Sequence, residues 1–258
     1  MRTVTATRYV TPLREGGSLP AVVEADDDGL YVLKFRGAGQ GRKALIAELI
    51  AGELARAAGL TVPEIVFVQL DAELARTEPD AEIQDLIRAS AGLNLALDFL
   101  PGSVAYDPLA HRIDDELASA IVWFDAFVTN VDRTPRNVNL LMWHRKLWLI
   151  DHGAALIFHH QWDGYPERST SAFPMIKDHV LLGFASRIAD VDARMARQLP
   201  AEVVERIVDA VPDDWLESTA HFKGPREQRE AYLRYLMARL QPPRNFVEEA
   251  IRAHAVHV

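Results

Sequence analysis

The chain begins with polar and apolar positions in alternation. Residues 4–10, 21–25 and 30–35 read as strands, separated by Gly16-Gly17-Ser18 and by Asp26-Asp27-Asp28-Gly29. That turn chemistry predicts a β-meander and hence a small antiparallel sheet. From Lys43 to Ala58 the period lengthens: Leu45, Ile46, Leu49, Ile50 and Leu54 fall on one side at 3.6-residue spacing and Gly59 supplies a stop, so a helix is predicted to pack on that sheet. Residues 61–70 return to strand. Residues 73–91 are charged and read as helix or surface insertion, and 93–99 form a further buried strand ended by Pro101-Gly102-Ser103.

After residue 102 the pattern turns helical, and we place a boundary there, between an N-terminal lobe of 1–102 and a mostly helical lobe of 103–258. Residues 114–129 predict a helix with an acidic first turn and an apolar face of Leu117, Ile121, Phe124 and Val128. Residues 138–142 and 147–150 flank a short turn and read as a hairpin. Helices are expected near 178–198, 200–210, 225–240 and 245–254. The fold class is therefore α+β.

Composition narrows the chemistry. The chain has 258 residues, 49% of them hydrophobic, no cysteine and a net charge of -9. The hydrophobic share suffices for a buried core. Thiolate metal sites and cysteine nucleophiles are excluded. The acidic balance disfavours nucleic acid and anionic membrane as partners. No uncharged run approaches a membrane span and residues 1–10 do not form a signal peptide, so the reading places the protein in the cytoplasm. His144 and the pair His159-His160 lack a third ligand spaced for zinc geometry.

The most specific stretch is Asn130-Val131-Asp132-Arg133-Thr134-Pro135-Arg136-Asn137, with Asp151-His152-Gly153 following Asn137 by fourteen positions. A loop carboxylate, an amide five positions on and an Asp-x-Gly at the end of a hairpin is a spacing that can hold a base and two metal ligands around ATP. On that reading Asp132 is the base that takes the acceptor's proton, and Asn137 and Asp151 are hard oxygen ligands for magnesium. Lys34, closing the third strand, is aimed at the α- and β-phosphates. Glu48, fourteen positions further, is read as its partner, with a solvated surface glutamate as the alternative. Glu53 competes on the same helix, but about 140° of rotation separates the two carboxylates, so both cannot face the sheet. The glycines of Gly37-Ala38-Gly39-Gln40-Gly41 read as N–H donors to phosphate or as a plain connector. Asp98-Phe99-Leu100 are placed at the adenine edge by order along the chain. Arg133 and Arg136 read as solvated cations of a polar loop, with acceptor-side cations as the alternative.

With these residues in view, the chain resembles the HipA-like kinases of the protein-kinase-like superfamily. The likeness rests on Val32-Leu33-Lys34, Ala47-Glu48-Leu49 through Ala58-Gly59-Leu60, Asn130-x-Asp132-Arg133-x-x-x-Asn137 and Ile150-Asp151-His152-Gly153. His152 stands where Asp-Phe-Gly has phenylalanine. The resemblance implies a two-lobed kinase fold that takes ATP with Mg2+ and transfers the γ-phosphoryl group to a hydroxyl of a protein or small-molecule acceptor. A pseudokinase or nucleotide-gated binding module, and an adenylyl-transferring variant of the fold, are the alternatives.

Overall fold

The computed structural model describes residues 1–13, 19–39, 41–216 and 221–257. The Gly16-Gly17-Ser18 turn lies outside the described residues. Strands β1 (Thr3–Pro12), β2 (Ala21–Ala25), β3 (Leu30–Lys34), β4 (Ile65–Leu70) and β5 (Gly92–Asp98) form the first sheet. β1–β2 and β2–β3 are antiparallel, as the meander predicts, and β3–β5 and β5–β4 are antiparallel as well. The sheet then departs from expectation: Thr3-Val4-Thr5 of β1 pair in parallel with Phe67-Val68-Gln69 of β4 and close a five-stranded barrel. Two register shifts along β1, between Ala6 and Arg8 and between Tyr9 and Thr11, bend it enough to serve both neighbours. Closure over these three residue pairs leaves no strand of the barrel with a neighbour on one side only, among the described residues.

The barrel holds its own apolar cluster, in which Val4, Ala6, Val23, Tyr31, Leu33, Val68 and Ala96 meet Ile83 and Ile87 of α2 (Ala81–Ala89). The charged stretch after β4 is therefore a cover: a 3-10 turn over Ala72–Thr77, then α2. Because strand side chains alternate, Leu33 fills the barrel and Lys34 faces the opposite way.

Helix α1 (Gly41–Ala57) meets that outer face. Between Leu45 and Ala55 every residue except Glu53 is buried, as expected of a helix covered on all sides. It joins Ile65, Leu95 and Leu97 of the barrel to the larger cluster formed by the rest of the chain. Gly52 permits the approach, because a Cβ there would lie 2.4 Å from Ile65 Cδ1.

A second sheet pairs β6 (Val104–Ala105), which the pattern does not predict, with the expected hairpin of β7 (Leu140–Trp143) and β8 (Lys146–Leu149). His144 and Arg145 turn the hairpin at φ 48° and 64°, the left-handed pair that a two-residue connection favours. Helix α3 (Asp115–Phe127) starts where the Asp114 carboxylate accepts the Leu117 N–H at 2.8 Å. Arg239, on α7 (Pro225–Leu240), ends it: its buried guanidinium donates to the Ala126 and Phe127 carbonyls at 2.8 Å each.

The remaining elements are α4 (Tyr165–Arg168), α5 (Ile188–Arg197), α6 (Ala201–Asp209) and α8 (Asn245–His257). The helix expected over 178–198 is confined to α5. Upstream, Leu182 N–H bonds to His179 and Phe184 N–H to Leu181, which are i to i+3 contacts that wind short 3-10 turns instead. Similarly, the strand expected from Thr61 begins at Ile65. No helix among the described residues is long and apolar enough to cross a membrane.

Candidate active site

β3 and α1 set the first pair. Lys34 Nζ donates to Glu48 Oε2 at 2.5 Å and to Asp151 Oδ1 at 2.5 Å. Glu48 is fully buried, whereas Glu53 is partly exposed and pairs with Arg56, which decides between the two carboxylates. Burial alone would lower the lysine pKa, but the charges of Glu48 and Asp151 outweigh it and the ammonium is held above its usual range. Burial would likewise raise Glu48; the charge of Lys34 and the contact with His152 prevail and keep the carboxylate ionised.

His152 occupies the wall behind this pair. Its ring is fully buried, Nδ1 lies 3.4 Å from Glu48 Oε1, and the ring packs edge-on against Phe124. α1 also roofs the next residue, since a Cβ on Gly153 would sit 3.7 Å from Ala44 Cβ and 3.4 Å from Asp151 Oδ1. Asp151 is at φ 53°, a left-handed conformation rarely adopted by non-glycine residues.

The loop after α3 carries the second group. Asp132 Oδ2 accepts from Asn137 Nδ2 at 2.7 Å and from Asn139 Nδ2 at 3.4 Å, and the Asp132 N–H donates to Asn130 Oδ1 at 3.1 Å. Asn137 is exposed, and with Nδ2 turned to Asp132 its Oδ1 faces elsewhere. The two groups are tied through Asn139, whose side chain donates to the Asp132 carbonyl at 3.2 Å and whose own carbonyl accepts the Ile150 N–H at 3.1 Å. Asp151 follows immediately.

Beneath the loop lies a cluster that the sequence reading missed. Arg133, expected to be solvated, is 1% exposed. Its Nε donates to the fully buried Asp125 of α3 at 2.6 Å, and its Nη1 bonds the carbonyls of Asn139 and, at 3.3 Å, Ile150. His179 completes the carboxylate's shell at 2.8 Å. Burial would raise the Asp125 pKa; the Arg133 charge and the His179 hydrogen bond push it well below the carboxylate range instead. A lone Asp inside the apolar run Ala120–Phe127 was the available signal, because a buried carboxylate requires partners. Arg136, by contrast, is exposed.

The glycines lie between the end of β3 and the first turn of α1. Gly37 N–H is spent on Ser90 Oγ at 3.1 Å and Gly41 N–H on the Ala38 carbonyl at 2.6 Å; a Cβ on Gly39 would meet open space. Gly41 is at φ 58°. At the end of β5, Asp98 N–H bonds to the Glu64 carbonyl at 2.8 Å and Phe99 N–H to the Leu30 carbonyl at 2.9 Å, while the Leu100 carbonyl accepts from Ser103 at 3.2 Å. The Phe99 bond continues the β3–β5 pairing, and the Leu100–Ser103 bond closes a turn.

This arrangement belongs to the protein-kinase-like fold. The structure matches that of the Helicobacter pylori proinflammatory kinase CtkA with a TM-score of 0.58 at 14% identity, over 99% of each chain. It also matches a Golgi casein kinase with Mn/ADP bound, with a TM-score of 0.55 at 11% identity over 98% of this chain and 74% of that one. Among curated proteins no relative matches significantly. The family model for HipA-like kinase matches residues 7–248, and the chain belongs to that family.

Proposed function

We propose that the protein is a phosphotransferase that takes ATP and passes its γ-phosphoryl group to a hydroxyl of a protein or small-molecule acceptor. The observation that carries this reading is the Lys34 ammonium held 2.5 Å from both Glu48 and Asp151, two residues more than a hundred positions apart. In the two-lobed division that we adopt, residues 1–102 cover the nucleotide and 103–258 supply the loop and hairpin. Lys34 meets the phosphate charge, and Glu48 keeps its amine from swinging away. Asp132 takes the proton of the accepting hydroxyl on Oδ1, since Oδ2 is engaged by Asn137 and Asn139.

The donor set fits a hard divalent cation. Asp151 has one carboxylate oxygen on Lys34 and its side chain is 41% exposed, and Asn137 offers an amide oxygen. Magnesium bound there would neutralise charge developing on the phosphates. The Mn/ADP complex of the Golgi casein kinase supports nucleotide and divalent metal in this fold. The reading leaves the glycine turn and the end of β5 as shape around the nucleotide, with Gly39 and the Asp98–Leu100 segment nearest to it.

Incubation with γ-labelled and α-labelled ATP tests the proposal. Label is expected in product from the γ-position only, and Asp132→Ala is expected to lower the rate by about 10²-fold or more. Incorporation from the α-position would identify adenylyl transfer, and ATP binding without any incorporation would identify a pseudokinase.

A further inference from the structure

We propose that His179 is a positioning residue, which through Asp125 and Arg133 sets the Asp132 loop in register with Asp151. The inference rests on the phosphotransferase reading for its purpose and on geometry for its substance. The Asp125 carboxylate receives three donors: Asn130 Nδ2 at 3.0 Å, Arg133 Nε at 2.6 Å and His179 Nε2 at 2.8 Å. His179 Nδ1 accepts the Leu181 N–H at 3.0 Å, so in the neutral ring the proton resides on Nε2 and is directed at Asp125. Burial keeps that ring neutral, although Asp125 pulls the other way.

The consequence lies in what Arg133 does with its remaining nitrogens. Charge balance needs only the Asp125–Arg133 pair, yet Nη1 is spent on the carbonyls of Asn139 and Ile150, one on each side of the hairpin. Asn139 is at φ 50° and Asp151 at φ 53°, so both ends of the hairpin hold backbone conformations that surrounding structure must impose. The segment bearing His179 is tied to the same arginine again, because Val180 N–H donates to the Arg133 carbonyl at 3.0 Å. His179 fixes the roll of the Asp125 carboxylate, the carboxylate fixes the guanidinium plane, and the guanidinium spaces Asp132 from Asp151.

Two conservative substitutions in the full chain separate positioning from mere stability. In His179→Gln the amide reaches Asp125 as Nε2 does; in His179→Asn the shorter side chain accepts from Leu181 but does not reach the carboxylate. The expected result is that Asn lowers kcat by about 10-fold or more with the KM for ATP changed by less than about 3-fold, while Gln restores kcat to within about 3-fold of wild type. Amide exchange at Ile150 and Val180 is expected to accelerate in Asn and not in Gln, with α7 amides unchanged in both. Asp125→Asn, read in the same way, serves if His179→Asn does not fold. Equal kcat and equal exchange in the two variants would overturn the proposal, as would a loss of ATP affinity parallel to the loss of rate. If the wild-type protein transfers no phosphoryl group, the phosphotransferase reading fails on that result, and the exchange measurement still decides whether His179 positions the loop.

Discussion

Lys34 carries one positive charge between two carboxylates, and each of the three depends on the others. A Lys34→Ala change would strand Glu48 as a fully buried charge, a loss of about 3–5 kcal/mol in stability, measurable as a shift in the denaturation midpoint. Glu48→Gln keeps the volume and removes the charge that holds the ammonium. It is expected to lower kcat/KM by about 10²-fold, whereas Glu53→Gln should leave activity unchanged and stability within about 0.5 kcal/mol. At this scale the site was partly legible. Helical rotation forbids Glu48 and Glu53 from sharing a face, and that argument needs nothing beyond spacing. Asp125 left a signal as a lone carboxylate in an apolar run, but its pairing with His179 was not legible, because the two meet across 54 positions and no periodicity links a buried carboxylate to its distant donor.

Among elements, α1 holds Glu48 against Lys34 of the barrel, and Gly52 is where its distance from β4 is set. Gly52→Val would overlap Ile65, at a cost of about 1–3 kcal/mol. Adding Ile65→Ala should recover part of the loss, and thermal melts of the two single variants and the double variant give the coupling directly. α1 and α3 were readable from sequence because their apolar spacing is local, as was the hairpin, whose strands lie next to each other. Barrel closure was not, since the parallel pairing of Thr3-Val4-Thr5 with Phe67-Val68-Gln69 joins segments about sixty residues apart with no turn to announce it. The 3-10 turn over Leu182–Phe184 was misread as part of the helix expected over 178–198, because apolar residues at helical spacing do not reveal whether carbonyls are met at i+3 or i+4.

For the whole molecule, buried histidines set the response to acid. Burial lowers the pKa of His159, and the charges of His160 and Lys43 add to that; burial also lowers His179 against the pull of Asp125. An unfolded histidine titrates near 6.5, so below about that pH the unfolded chain binds protons that the folded chain refuses. Stability is therefore intact above the ordinary histidine value and declines as pH falls beneath it. The melting temperature should drop between about pH 7 and pH 5.5, and His159→Gln should flatten the slope. Glu48 and Asp125 act in a separate window: their depressed pKa values give stability that is present above about pH 4.5 and lost on further acidification.

In the proposed function, Lys34, Asp132, Asn137 and Asp151 surround a single triphosphate and its metal. A crystal structure of the full chain with a non-hydrolysable ATP analogue and magnesium tests it most directly. The expected complex has the ion on the Asp151 carboxylate and the Asn137 amide oxygen, Lys34 Nζ on the α- and β-phosphates, and the Asp132 carboxylate on the acceptor side of the γ-phosphorus. A nucleotide bound with its γ-phosphate away from Asp132, or an ion held without Asp151, would contradict it.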